Sequence, residues 1–264
     1  MANQSITIGQ YIPGDSFIHS LDPRSKLAAL ILIIMAIFSV TDIIYYIPFI
    51  LVLIVIYKNG KIPMRFFLRG IRPVTYIAVI TFIIHLFFTK GGEVLLRLGF
   101  FTVEWEGLFI GTFTVFRLML LVFYTMIVTL TTTPLSLTAG MEFFLRPLKY
   151  LKVPVGDIAM ILTISLRFIP TLIEESGRIV KAQKARGLNF EGKNIITKIR
   201  YLIPVVVPLF ISAFRRADEL AVAMEARCYR VGEKRTRMHE LSFTLKDYAL
   251  VFLAFFTALL FFFL

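Results

Sequence analysis

The chain is 264 residues long, 58% apolar and rich in phenylalanine, with a mean hydropathy of +0.80 that excludes an ordinary soluble domain. Its net charge of +12 is not a nucleic-acid signature, because the basic residues gather between apolar runs without the aromatic interleaving that stacks bases. One cysteine, Cys228, excludes an internal disulfide and any multi-cysteine metal centre, and the scattered His19, His85 and His239 leave little for zinc or haem.

Residues 1 to 21 are polar and include Pro13-Gly14-Asp15, so no cleaved leader is expected and the first helix is the insertion signal. Asp22 before Pro23 reads as a helix N-cap, with Arg24 and Lys26 as cytosolic anchors. Leu27 to Val40 and Ile43 to Tyr57 are apolar runs separated by Thr41-Asp42. Joined, they would make a helix about 46 Å long, which overshoots a bilayer, so a tight helical hairpin is expected. Val74 to Thr89 and Leu108 to Leu130 are the third and fourth spans, the latter followed by Thr131-Thr132-Thr133-Pro134. Tyr248 to Leu264 is the fifth.

Lysine and arginine set the orientation. Lys58, Lys61, Arg65, Arg69 and Arg72 lie between the second and third spans, whereas the loop from Lys90 to Gly107 offsets its basic residues with Glu93, Glu104 and Glu106. The N-terminus and the stretch from Pro134 to Lys246 are thus expected in the cytosol, and the C-terminus outside. Three regions follow: 1–133 with four spans, 134–246 as a cytosolic insert, and 247–264 as the last span.

Helical periodicity organises the insert. Leu135 to Leu151 carries Arg146, Lys149 and Lys152 beside Phe143, Phe144 and Leu148, as a helix at a membrane surface would. A second helix sets Ile158, Ile161, Leu162, Phe168, Ile169, Leu172 and Ile173 on one side, with charge on its other faces and a stop at Gly187 before Asn189 and Gly192. A third begins near Asn194, is apolar to Phe214 and is bent by Pro204 and Pro208. Lys198, Arg200 and two prolines make 195–214 read as a buried or interfacial helix rather than a span, although a pair of extra spans would keep the flanking topology.

Ala182-x-x-Ala185-Arg186-Gly187 and Ala223-x-x-Ala226-Arg227-Cys228 close the last two helices, with their arginines at 186 and 227. Small residues leave one side of the helix slim, and the guanidinium offers a fixed cation with five donors, which suits an acidic groove. A basic residue near one helix C-terminus merely complements the dipole; two such phrases on consecutive helices imply paired sockets on a cytosolic partner.

Other residues carry plainer readings. Arg117, about ten residues into the fourth span, is costly in lipid and reads as a bundle pairing or partner contact before a transport path. His85 is expected to be satisfied by a neighbouring carbonyl. Glu174 and Glu175 are adjacent, so they cannot share a helix face as paired carboxylates. No Gly-x-x-x-x-Gly-Lys run followed by Ser or Thr exists, since Gly187-x-x-x-x-Gly192-Lys193 continues with Asn194, so the chain is not expected to hydrolyse ATP. Two other classes stay open: a secondary transporter with a basic cytosolic domain, which would need repeated transmembrane halves whereas the repeat here lies in the insert, and a lipid-modifying enzyme, which would need clustered acidic or histidine residues that are not seen.

The chain resembles the transmembrane T component of energy-coupling-factor (ECF) transporters, the vitamin and metal importers related to ABC transporters. The resemblance runs along the whole chain. It is carried by Gly9-Gln10-Tyr11-Ile12-Pro13-Gly14-Asp15-Ser16, His19 and Leu21-Asp22-Pro23-Arg24-Ser25-Lys26; by Ser165-Leu166-Arg167-Phe168-Ile169-Pro170 with Glu174; and by Ala185-Arg186-Gly187 and Ala226-Arg227-Cys228. It implies an all-α membrane protein of about five transmembrane helices plus a cytosolic or interfacial coupling domain of long amphipathic helices. It also implies two ABC-type ATPase subunits docked on Arg186 and Arg227, a small and exchangeable substrate-binding membrane subunit, lipid around the spans, and no nucleic acid. ATP and magnesium would belong to the ATPases, with no cofactor or metal on this chain. Cys228 stands where the family pattern has glycine. Because cysteine adopts left-handed geometry less readily, the second tip is expected to end its helix differently.

Overall fold

A computed structural model describes residues 11–60, 63–98, 101–188, 195–230 and 242–263. Gly9, Gln10, Lys61, Asn189, Gly192, Asn194, His239 and Leu264, invoked above, lie outside the described residues. Eight α-helices and one short hairpin make up the described chain. They fall into two compact units, one of Gly9–Phe143 with His239–Leu264, the other containing Phe144–Met238.

In the first unit α1 runs Pro23–Ser39 and starts four residues before its apolar stretch, because the Asp22 carboxylate accepts from the Arg24 amide at 2.8 Å and Pro23 tolerates a position that has no amide to pair. The expected hairpin is present. Val40 is extended, a 3-10 turn covers Ile43–Tyr46, and α2 follows over Ile47–Gly60. Helix α3, Met64–Phe88, begins ten residues before the expected span, so Arg65, Arg69 and Arg72 lie on its first turns rather than in a loop. The connection between α3 and the next helix, expected as a plain loop, holds an antiparallel hairpin, β1 (Val94–Leu98) and β2 (Phe101–Glu104). Helices α4 (Trp105–Thr131) and α5 (Pro134–Leu145) follow, and α8 (Leu245–Phe263) returns to the same unit.

Small residues set the helix spacing. Ala29 and Ala36 of α1 and Ala254 of α8 are buried in a cluster with Ile33, Ile37, Phe49 and Phe261. Gly107 and Gly111 bring α4 onto α3: a Cβ at Gly107 would lie 2.8 Å from the His85 carbonyl oxygen. Close backbone approach of this kind is how apolar helices gain contact in lipid, where burial itself has no driving force. The outward faces remain apolar, with Ile77, Ile80 and Ile84 of α3 and Phe252, Phe255 and Phe256 of α8 exposed.

In the second unit, the helix expected over 135–151 breaks near Arg146-Pro147. A 3-10 turn covers Arg146–Leu151 and ends at Lys152 with φ +61°. Two long helices then fill the unit, α6 (Val155–Ala185) and α7 (Ile195–Ala226).

Among the described residues five helical stretches are long and apolar enough to cross a membrane: Ile43–Gly60, Met64–Phe88, Trp105–Thr131, Val155–Ala185 and Leu245–Phe263. The set differs from the expected one at two places. Helix α1 has 17 residues, which is short for a span. Helix α6, read from sequence as charged throughout, carries only Asp157 and Arg167 before Glu174, so its first half is apolar enough to qualify.

Candidate functional site: two helix ends built alike

Helix α6 stops by a specific hydrogen-bond pattern. The Gly187 amide donates to the Lys184 carbonyl at 3.0 Å and the Leu188 amide to the Gln183 carbonyl at 3.0 Å, while Gly187 has φ +89°. This is the Schellman arrangement, in which a left-handed residue lets two amides fold back onto otherwise unpaired carbonyls. Helix α7 ends identically: Cys228 N–H donates to the Glu225 carbonyl at 2.9 Å, Tyr229 N–H to the Met224 carbonyl at 3.0 Å, and Cys228 has φ +57°. The expectation that the second tip closes differently is therefore overturned. Cysteine occupies the left-handed position because two hydrogen bonds and the exposed setting hold it there. Ala185, Arg186 and Gly187, like Ala226, Arg227 and Cys228, are exposed, and neither arginine forms an ion pair among the described residues.

Three contacts fix how α6 and α7 lie together. Gln183 Nε2 donates to the Pro204 carbonyl at 3.2 Å, Ser212 Oγ donates to Glu175 Oε1 at 2.6 Å, and Arg216 Nη2 donates to Glu175 Oε2 at 2.7 Å. Residue numbers fall on α6 as they rise on α7, so the helices run antiparallel and the two tips point away from each other. From the Glu175 junction the arginines lie about 16 Å along α6 and about 19 Å along α7 at the usual helical rise. The Pro204 carbonyl needs its external donor because Pro208, four residues on, has no amide to give it. Between the helices runs an open apolar groove lined by Ile169, Leu172, Ile173, Val206, Leu209 and Phe210.

The residues of the 165–174 phrase separate. Ser165 lines a second stretch of the same groove, whereas Arg167, Pro170 and Glu174 are exposed. Glu174 makes only a 4.0 Å pair with Arg178, with both side chains mostly in solvent. Its neighbour Glu175, set aside in the sequence reading, joins the helices instead. The available signal was Ser212-x-x-x-Arg216, which places a hydroxyl and a guanidinium on one face of α7.

The N-terminal phrase is an interior structure. Lys26, read as a cytosolic anchor, is 4% exposed; its Nζ donates to the Thr131 carbonyl at 3.1 Å and to Thr132 Oγ1 at 3.3 Å at the end of α4. That reading is corrected, since a buried ammonium keeps its charge here only through those oxygens and the nearby carboxylates. The Arg24 guanidinium lies 5.1 Å from the Phe143 ring centre and 5.9 Å from that of Phe243.

The model of the CbiQ family, described as a cobalt transport protein, matches residues 14–239. The chain belongs to this family. Proteins named energy-coupling factor transporter transmembrane protein EcfT are similar to it along nearly their full length. The one from Thermosediminibacter oceani is 47% identical over 93% of this chain and 92% of its own. The Bacillus subtilis protein is 44% identical over 98% of both chains, and that of Lactococcus lactis subsp. cremoris 44% over 94% and 93%. The CbiQ-family chain is thus a multi-pass transmembrane component of an energy-coupling-factor transporter.

Arg117 has a structural place in this family member. Its Nε donates to Tyr46 Oη at 3.1 Å and its Nη2 to the Val40 carbonyl at 3.0 Å, and the guanidinium sits 4.6 Å from the Phe113 ring centre. It ties the α1–α2 turn to α4. His85 Nδ1 is 3.1 Å from Thr89 Oγ1, so a hydroxyl and not a carbonyl is its partner.

Proposed function

We propose that the chain is the coupling subunit of an ATP-driven, ABC-related importer for vitamins or other micronutrients. Arg186 and Arg227 dock into acidic grooves on two ATPase subunits, and the apolar surface of α6 and α7 packs against a small membrane subunit that captures the substrate. ATP and magnesium are bound by the ATPases, and this chain catalyses nothing. The N-terminus and the two tips face the cytosol, and the C-terminus faces outward. The observation that supports this best is the pair of exposed arginines on helix ends of one hydrogen-bond pattern, directed oppositely from an antiparallel pair. Two like tips suit two like sockets.

ATP-driven closure of the ATPases would change the separation of the tips, and α6 and α7 would tilt the capture subunit. Such a shift requires ATP-bound and ATP-free partners to differ in their contacts with the tips. A charge-assisted arginine contact supplies about 1.5–3 kcal/mol when broken. Co-purification of the tagged chain from a host carrying candidate ATPase pairs tests the reading. Arg186→Glu with Arg227→Glu is expected to lose both ATPases while the chain still folds; full capture by the Arg186→Ala, Arg227→Ala double variant would overturn it.

A further inference from the structure

The chain leaves the first unit after Phe143, and the described residues are back in it from Ser242 onward. Residues on both sides of this excursion meet the phrase Asp22-Pro23-Arg24-Ser25-Lys26 within the first unit. On the leaving side Lys26 Nζ holds the Thr131 carbonyl and Thr132 Oγ1, immediately before α5. Helix α5 then crosses Pro23 closely enough that a Cβ on Gly140 would lie 2.9 Å from Leu27 Cδ1 and 3.4 Å from the Pro23 carbonyl oxygen.

On the returning side Asp247 is fully buried and accepts from four donors. The Asp22 amide and the Ser25 hydroxyl reach Oδ1 at 2.8 and 2.6 Å, and the Thr244 amide and hydroxyl reach Oδ2 at 2.9 and 2.6 Å. The Thr244 amide contact is the carboxylate half of a capping box and starts α8. The Asp22 and Ser25 contacts tie that start to α1, 225 and 222 residues away in sequence. Arg24 lies between the two sides, over the ring of Phe143 on one and of Phe243 on the other.

We propose that this phrase is a two-sided clasp. Arg24, Ser25, Lys26 and Asp247 are positioning residues that lock the leaving and returning connections to each other through the first turn of α1, so that a displacement of the α6–α7 unit is delivered to α1, α4 and α8 together. This rests on the coupling reading above. The physical ground is that the two sides meet in one buried turn: Asp22, Lys26 and Asp247 are all nearly inaccessible and the two carboxylate charges act on Lys26, so removing either sign leaves the other buried without its counter-charge. Two independent tethers would have no such dependence.

The test is amide hydrogen exchange on the full chain, captured with its ATPases in lipid nanodiscs, following segments 130–140 and 242–250. Lys26→Met removes hydrogen bonds only on the leaving side, and Asp247→Asn weakens those only of the returning side and α1. The clasp requires each variant to speed exchange on both segments, by at least about fivefold. Acceleration confined to the mutated side, or absent from both, overturns the proposal. If these variants do not fold, Ser25→Ala, which removes one donor and no charge, decides by the same criterion. In the unsubstituted complex a non-hydrolysable ATP analogue is expected to alter protection on both segments or on neither; a change on one alone also overturns it. Arg186→Glu measured in parallel separates the two ideas: continued ATPase capture there counts against the coupling reading, whereas the cross-talk between segments stands or falls on Lys26 and Asp247.

Discussion

Replacing Cys228 by glycine should tighten the end of α7. Cys228 sits at φ +57° in the position that Gly187 holds at φ +89° on α6. A side chain in left-handed backbone costs about 1–2 kcal/mol, and glycine offsets part of the gain by losing about 0.5–1 kcal/mol more backbone entropy on ordering. The balance favours glycine by about 1 kcal/mol, a factor of about five in the opening equilibrium of the last turn. The reciprocal change, Gly187→Ala, should cost a similar amount at α6, and by backbone conformation alone, since a Cβ there meets nothing within 4 Å. The reporters are the Tyr229 and Leu188 amides, which donate to Met224 and Gln183. Hydrogen exchange should slow about fivefold at Tyr229 in Cys228→Gly and quicken about fivefold at Leu188 in Gly187→Ala. No change at either amide would refute the assignment of strain to the left-handed position. ATPase capture should survive Cys228→Gly, because Arg227 and the cap geometry are kept.

Two further outcomes follow from groups that leave partners stranded. Gln183→Leu removes the donor to the Pro204 carbonyl, which Pro208 has already deprived of its helical partner; the α6–α7 pair should lose about 1–3 kcal/mol, read as faster exchange along 201–216 with the rest of the chain unchanged. Arg117→Leu abandons the Val40 carbonyl and Tyr46 hydroxyl together and should lower thermal stability in detergent by a comparable amount, while leaving ATPase capture intact; a loss of capture at unchanged stability would instead place Arg117 in partner contact.

Periodicity and capping made most elements legible. Asp22-Pro23 marks the start of α1, the Thr41-Asp42 break separates α1 from α2, and the paired Ala-Arg phrases mark two helix ends, because each depends on residues within a few positions of one another. The α3 boundary was misplaced since Arg65, Arg69 and Arg72 look like loop residues unless the helix continues beyond its apolar stretch. The Thr244-x-x-Asp247 box was readable too, as a hydroxyl and a carboxylate three apart before an apolar run. What no local pattern contains is that the same carboxylate also serves Asp22 and Ser25, that Lys26 is buried against α4, or that Glu175 and not Glu174 joins the long helices. Those are decided when helices distant in sequence meet, for a buried polar group takes whichever partner the packing brings within reach, and burial itself makes that choice energetically binding. The sequence by itself determined the membrane class, most of the helices and the two tips; the tertiary structure alone decided that both tips close by one geometry and that the first turn of α1 gathers the end of α4 and the start of α8.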